Sequence, residues 1–291
     1  MSHNTAKTHR KTYLITDEGD RVLVYEEWQN AAKNVLTYID HQSDDDSRGY
    51  YEYDEFGQLM REREMAAGEE VNRQEFQYQE DGRLLNQKTF VDDTLYEETR
   101  FEELEQGYLT QTLQMGEVTE RMLQSKDQRI TRTEYLNEGK PFEIHETTID
   151  PKTKAENTTV SSSQGQVLGT IIKEWQEHNS IHDAKSFDRK GNVIEHISSE
   201  YKGGRLIKQR SLYQEAERNS TIHFEYDEHG NEIAMEETGP NGELVGFHKL
   251  RYDEQNRLIR ENGLSAGFSE GIYVSYWLGQ TYTFEHEYIA L

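Results

Sequence analysis

The chain has 291 residues, of which 33% are hydrophobic and 30% carry a charge, a balance that lies near the disordered range. Eighteen Tyr, 10 Phe and 3 Trp give it enough apolar surface to fold, and beside so many charges they predict a fold with a high surface-to-volume ratio. Lys and Arg total 32 against 56 Asp and Glu, a formal charge of −24, which argues against phosphate-neutralising nucleic-acid binding and against an anionic membrane surface, and favours a basic partner. There is no Cys, so disulfides, thiolate metal sites and Cys nucleophiles are excluded.

In chain order, residues 1–11 are polar and basic without an apolar core; they read as a flexible tail rather than a secretory signal, and the chain reads as cytoplasmic. No stretch approaches the ~20 apolar residues of a membrane span. Trp28, Ala31, Ala32, Val35, Leu36 and Ile39 fall at helical spacing, but the repeat described next places a turn near Ala32, so a short helix is only the alternative there. Asp44, Asp45 and Asp46 form an acidic loop whose spacing does not match an EF-hand.

From Tyr51 a repeat becomes visible. Tyr51-Glu52-Tyr53-Asp54-Glu55-Phe56-Gly57-Gln58-Leu59 recurs as Phe76-Gln77-Tyr78-Gln79-Glu80-Asp81-Gly82-Arg83-Leu84. Later copies are Phe187 to Val193, Tyr226 to Ile233 and Tyr252 to Leu258, the last with Asn256 in place of Gly. Gly57 to Gly82 is 25 residues; Gly139, Gly165 and Gly191 are 26 apart, as are Gly204, Gly230 and Asn256. With weaker turn signals halfway, the step is about 13 residues, a strand of ~8–9 plus a four-residue turn. Asp three residues before Gly suits a hairpin turn, with Gly or Asn taking positive φ. The expected fold is therefore all-β: a long antiparallel meander over residues 12–262, one curled sheet forming a trough, open spiral or partial shell. The repeat aromatics Tyr50, Tyr51, Tyr53, Phe76, Tyr78, Tyr226 and Tyr252 are expected to stack ring on ring between strands.

The Tyr-Asp-x-x-Gly-x-Leu element at this double step resembles the YD repeats of Rhs-type proteins. That resemblance implies a long β-sheet, which in the family spirals into a shell around a toxin. This chain is much shorter than such a shell and shows no core-domain signature after Asn262. It looks more like a stand-alone relative, and the resemblance implies the context of small cytosolic immunity proteins.

Residues 263–291 read as a loop and capping strands. Gly263-Leu264-Ser265-Ala266-Gly267 and Gly267-Phe268-Ser269-Glu270-Gly271 match the Gly-x-Ser-x-Gly hydrolase motif, but no parallel α/β pattern surrounds them. The later acid and imidazole candidates, Glu285 and His286, are adjacent and would face opposite sides of a strand. His178 and His182 have His-x-x-x-His spacing but flank an expected turn. No catalytic residue, cofactor site or metal site is assigned, and the chain is not read as an enzyme. Tyr273, Tyr276, Trp277, Tyr282, Phe284 and Tyr288 are expected to cap the sheet edge or form a recognition patch. The expected function is protein binding: an immunity protein holding a basic toxin, with Asp44, Asp45, Asp46, Tyr276 and Trp277 as the partner contacts. A chaperone, adaptor or scaffold role is the alternative, and a carbohydrate-active or carbohydrate-binding protein the minor one.

Overall fold

The fold is given by a computed structural model, which describes residues 5–43, 47–176, 180–264 and 280–291. Among the described residues the chain is a succession of twenty-two strands. They are β1 (Thr8–Ile15), β2 (Arg21–Gln29), β3 (Val35–Asp40), β4 (Ser47–Tyr53), β5 (Leu59–Ala66), β6 (Glu69–Tyr78), β7 (Leu84–Val91) and β8 (Thr94–Glu103). Then follow β9 (Gly107–Gln114), β10 (Glu117–Ser125), β11 (Ile130–Asn137), β12 (Lys140–Ile149), β13 (Glu156–Ser162), β14 (Val167–Gln176) and β15 (Ser180–Asp188). The rest are β16 (Val193–Lys202), β17 (Arg205–Tyr213), β18 (Ser220–Tyr226), β19 (Glu232–Thr238), β20 (Leu244–Tyr252), β21 (Leu258–Leu264) and β22 (Thr281–Ala290). One 3-10 turn, Ala216–Arg218, interrupts them.

The residues separate into two compact units, one of Met1–Tyr96, Asp227–Ala234 and Gly246–Leu291, the other of Glu97–Tyr226 and Met235–Val245. In the second, β8 to β18 pair antiparallel, each with the next in the chain. In the first the order is β20–β21–β22–β1–β2–β3–β4–β5–β6–β7, also antiparallel throughout. The meander is thus as expected, but its ends are not. β1 pairs with β22 from Thr8↔Ala290 to Leu14↔Phe284, so within the first unit the first and last strands are joined edge to edge. The expected trough, open spiral or partial shell, with free edges at first and last strands, does not form. Thr8 to Lys11, expected in a flexible tail, belong to β1, and β22 joins the sheet instead of capping an edge.

The physical reason lies in the hairpins. Among the described residues, twelve strand pairs shift register by one residue, usually just beyond the turn, as at Tyr53↔Leu59 following Glu52↔Arg61. Each such bulge adds an unpaired residue to one strand, bends it and increases its twist. Bulges repeated at this frequency impose curvature, which suits the pairing of β22 with β1 that leaves neither strand with an unpaired edge.

The turns carry the repeat's chemistry. Gly57, Gly82, Gly139, Gly165, Gly191, Gly204, Gly230 and Asn256 all take positive φ, Asn256 at 62°. In the Tyr-Asp turns the Asp closes the loop with its side chain. Asp227 Oδ1 accepts the N–H of His229 and of Asn231, both at 2.9 Å, and Asp54, Asp188 and Asp253 do the same two and four residues on. The side-chain amides of Asn192 and Asn231, followed by these backbone bonds, hold Asp188 and Asp227 below the ordinary Asp value, and at Asp253 the backbone bond from Arg257 leads. At residues 28–39 the turn wins over the helix. Asn30 Oδ1 accepts from the N–H groups of Ala32 and Asn34, and Lys33 takes a φ of 66°.

The repeat tyrosines act differently from the expected ring ladder. Tyr53, Tyr78, Tyr201 and Tyr226 each donate their hydroxyl to a carbonyl near the start of the preceding strand: Val35, Leu59, Ile181 and Leu206, at 2.8–3.1 Å. They brace strand ends rather than stack. Tyrosine and phenylalanine rings pack on one another at Tyr25–Tyr38 at 5.6 Å, Tyr38–Tyr51 and Tyr282–Phe284, in the one buried apolar cluster found among the described residues, and outside it His9 stacks on Trp28 and Tyr135 meets His145 edge-on. The accessible surface is 18051 Å² for 34.2 kDa.

Candidate functional site

The strands that close the sheet, β22, β1, β2 and β3, hold the densest buried chemistry of the first unit. In β1, alternation puts Arg10, Thr12 and Leu14 on one face and His9, Lys11 and Tyr13 on the other. Arg10 lies opposite Glu27 and Tyr288, Thr12 opposite Tyr25 and His286, and Leu14 opposite Phe284. Thr12 and Phe284 have no exposed surface.

On this face Arg10 Nη2 donates to Glu27 Oε2 at 2.8 Å, and Gln29 Nε2 donates to the other oxygen of the same carboxylate. The Thr12 hydroxyl meets His286 Nδ1 at 3.0 Å. His286 Nε2 is buried with no hydrogen-bond partner among the described residues. Burial, and secondarily the Arg10 charge, push the imidazole down to about 4. Tyr38 and Tyr282 lie across the glycines that face them, Gly49 and Gly263, where a Cβ would collide with the rings. Burial, then the nearby Glu64, push the Tyr38 phenol up to about 12, and burial with Glu261 raises Tyr282, whose hydroxyl donates to Glu261 at 2.9 Å.

The opposite face carries a second cluster. His9 Nε2 and His41 Nε2 contact the two oxygens of Glu26 at 2.8 and 3.1 Å, Lys11 Nζ stands 3.7 Å away, and His9 stacks on Trp28 at 4.3 Å. Burial alone would raise the Glu26 carboxyl; the hydrogen bonds from His41 and His9 outweigh it and hold it below its ordinary value. Both carboxylate oxygens are thus engaged by protein, and no group of three His, Asp or Glu among the described residues is arranged to hold a metal ion.

Chemically, the Thr12–His286 pair does not meet the requirements of an activated nucleophile. A triad needs an acid orienting the second imidazole nitrogen, and a general base needs a pKa near the working pH. Here the charged neighbour is Arg10, and the imidazole is a weak base. The cluster is a neutral, hydrogen-bonded plug in the closing strands.

Asp44, Asp45, Asp46, Tyr276 and Trp277, the expected partner contacts, lie outside the described residues, as do Ser265, Ser269, Tyr273 and His178. Of the described residues on either side of 44–46, the Ser47 N–H donates to the Ser43 hydroxyl at 2.7 Å. His182 Nδ1 meets the Ser199 carbonyl at 2.8 Å. Glu285 sits 3.5 Å from both Arg21 and Arg260 while His286 turns to Thr12, so these adjacent residues do occupy separate surroundings. Of the expected edge aromatics, Tyr282 and Phe284 are buried core, and Tyr288 donates to the Leu258 carbonyl at 3.0 Å like a repeat tyrosine. Sequence reading missed Arg10, Thr12, Glu26 and Glu27; the alternation of Arg10-Thr12-Leu14 against His9-Lys11-Tyr13 was the available signal.

No family model matches the chain, and no curated protein does. Among solved structures, a TcdB2-TccC3-TEV crystal structure is similar at 11% identity over 91% of this chain and 19% of that chain, with a TM-score of 0.24. A porin-like protein from Bacteroides uniformis is similar at 11% identity over 100% of this chain and 98% of that chain, with a TM-score of 0.31. The Photorhabdus luminescens Tc holotoxin pore is similar at 9% identity, covering 82% of this chain and 18% of that chain, with a TM-score of 0.17. This chain spans less than a fifth of the toxin-complex chains. Likenesses at these scores carry no argument about fold or activity.

Proposed function

We propose that the protein is a non-catalytic protein-binding module, a cytoplasmic immunity protein that neutralises a basic toxin by direct contact. The observation that supports this reading most is where its positive charges go. Arg10, Arg61, Arg63, Arg73, Arg100, Arg121, Arg132 and Arg257 each lie against a carboxylate of the same chain. With many of its cations engaged internally, a chain of charge −24 presents surplus carboxylate to solvent. Such a field accelerates encounter with a cationic protein and makes the association salt-sensitive. The YD-like repeat supplies the toxin context by resemblance.

The test is affinity purification from native cells at low and moderate salt, followed by a neutralisation assay with whatever protein co-purifies. One stoichiometric basic partner whose toxicity is abolished is the expected result. Many substoichiometric clients, or no protein partner at either salt, would overturn it.

A further inference from the structure

The turns Asp54–Gln58 and Gln79–Arg83 stand next to each other on one rim of the first unit and are bridged by a 2.9 Å bond from Gln58 Nε2 to the Gly82 carbonyl. Between them lies an open groove of about 700 Å³, within the size range of ligand clefts. Its apolar lining includes Phe56 and Met60, and its carboxylates include Glu55, Glu80 and Asp81.

Phe56 is the anomaly. It occupies the third position of the five-residue turn, where the sister turns have Asp81, Lys190, His229 and Gln255, and it is 80% exposed. The turn does not need a ring there: the same backbone bonds form in the sisters, with Gly57 N to Asp54 O at 3.2 Å matched by Gly230 N to Asp227 O at 3.1 Å. Met60 is the bulge residue skipped between Arg61 and Leu59 in the pairing with β4, which leaves it 37% exposed beside the groove. In the corresponding turn pair around Gly230 and Asn256, the Asn231 and Asn256 amides bond to each other. The cation at the groove's second turn, Arg83, is held by Asp81 at 2.7 Å.

We infer that this groove is a docking site for a basic segment of a protein partner, in which an apolar side chain covers Phe56 and Met60 while adjacent Lys or Arg side chains meet Glu55 and Glu80. Charge complementarity selects this occupant: an exposed ring ringed by carboxylates repels acidic segments, including a second copy of this acidic chain, and rewards a cation set beside an apolar group. The inference rests on the protein-binding reading above and gives it a location and a ligand chemistry.

The experiment titrates an acetylated, amidated Lys-Leu-Lys-Leu-Lys peptide into the full-length protein by calorimetry, with Glu-Leu-Glu-Leu-Glu as control. Saturable binding of the basic peptide alone is expected, weakened at least about tenfold by Phe56→Ser and again by Glu55→Gln with Glu80→Gln, and unchanged by Gln255→Ser at the sister turn. Phe56 is exposed enough that its replacement leaves the fold intact, which circular dichroism checks. No saturable binding, equal binding by Phe56→Ser, or a Phe56-dependent self-association would overturn the inference. A co-purified partner retained undiminished by Phe56→Ser would remove the groove but keep the binding function. The absence of any such partner would remove the function itself.

Discussion

The buried imidazole of His286 makes the closing strands sensitive to acid. In the unfolded chain it titrates at the ordinary value of 6.5; in the fold it is pushed down to about 4. Between these values the unfolded state binds the extra proton, so stability is complete above about 6.5 and is lost as the pH falls toward 4. The full gap corresponds to about 3 kcal/mol, a large part of the ~5–15 kcal/mol that holds a typical domain. The perturbation is His286→Gln, which keeps a polar group opposite Thr12 but cannot take up a proton. Many carboxylates titrate in the same window, and comparing the two proteins at each pH cancels their common contribution. Urea unfolding from about pH 7 to about pH 4 should show the natural protein losing about 2–3 kcal/mol more than the variant. At an m-value of about 3 kcal/mol/M, that is a midpoint shift approaching 1 M. Parallel stability curves for the two proteins would refute the reasoning, and so would a titration of the His286 ring near its ordinary value.

Three further outcomes are expected. Tyr78→Phe and Tyr226→Phe each remove a phenol donor from a strand-start carbonyl and should cost about 1 kcal/mol in urea unfolding without altering the circular dichroism spectrum. Gly230→Ala, at a φ of 94°, should destabilise by about 1 kcal/mol or more, whereas Asn256→Gly, at a φ of 62°, should be near neutral; thermal melts compare them. Truncation before Thr281 removes β22 and leaves β1 and β21 with unpaired edges, so light scattering should show concentration-dependent association that the full chain does not.

The strand-and-turn beat was legible because its chemistry is local. Asp54, Asp188, Asp227 and Asp253 each close a turn with atoms no more than four residues away, and the glycines and Asn256 sit where a positive φ is required. The face assignments were not legible, because each bulge resets the two-residue alternation. Between β20 and β21 the pairing moves from Arg251↔Arg260 to Tyr252↔Leu258 and leaves Ile259 without an opposite number, so a count by twos changes face there. The role of the repeat tyrosines was hidden for a similar reason. A ring at regular spacing suggests stacking, while the partner of its hydroxyl is a carbonyl about twenty residues back in the chain.

Closure depends on an encounter between segments 274 residues apart, as in the Thr12–His286 contact, and no short-range signal announces it. Its register is nevertheless specified by the residues that meet. With Lys11 opposite Glu287, Thr12 opposite His286 and Tyr13 opposite Glu285, the two glutamates share a face with Lys11 and Tyr13, where Tyr13 donates to Glu287 at 3.3 Å and Arg21 reaches Glu285. A slip of one residue would exchange the two faces of β22. Glu285 and Glu287 would then enter the face held by Phe284 and His286, facing Glu27 and the buried Asp40, and Phe284 would be turned to solvent. Burying two unpaired carboxylates there costs far more than any single contact of the seam returns. The surplus of acid therefore also selects the one register in which the first and last strands can join.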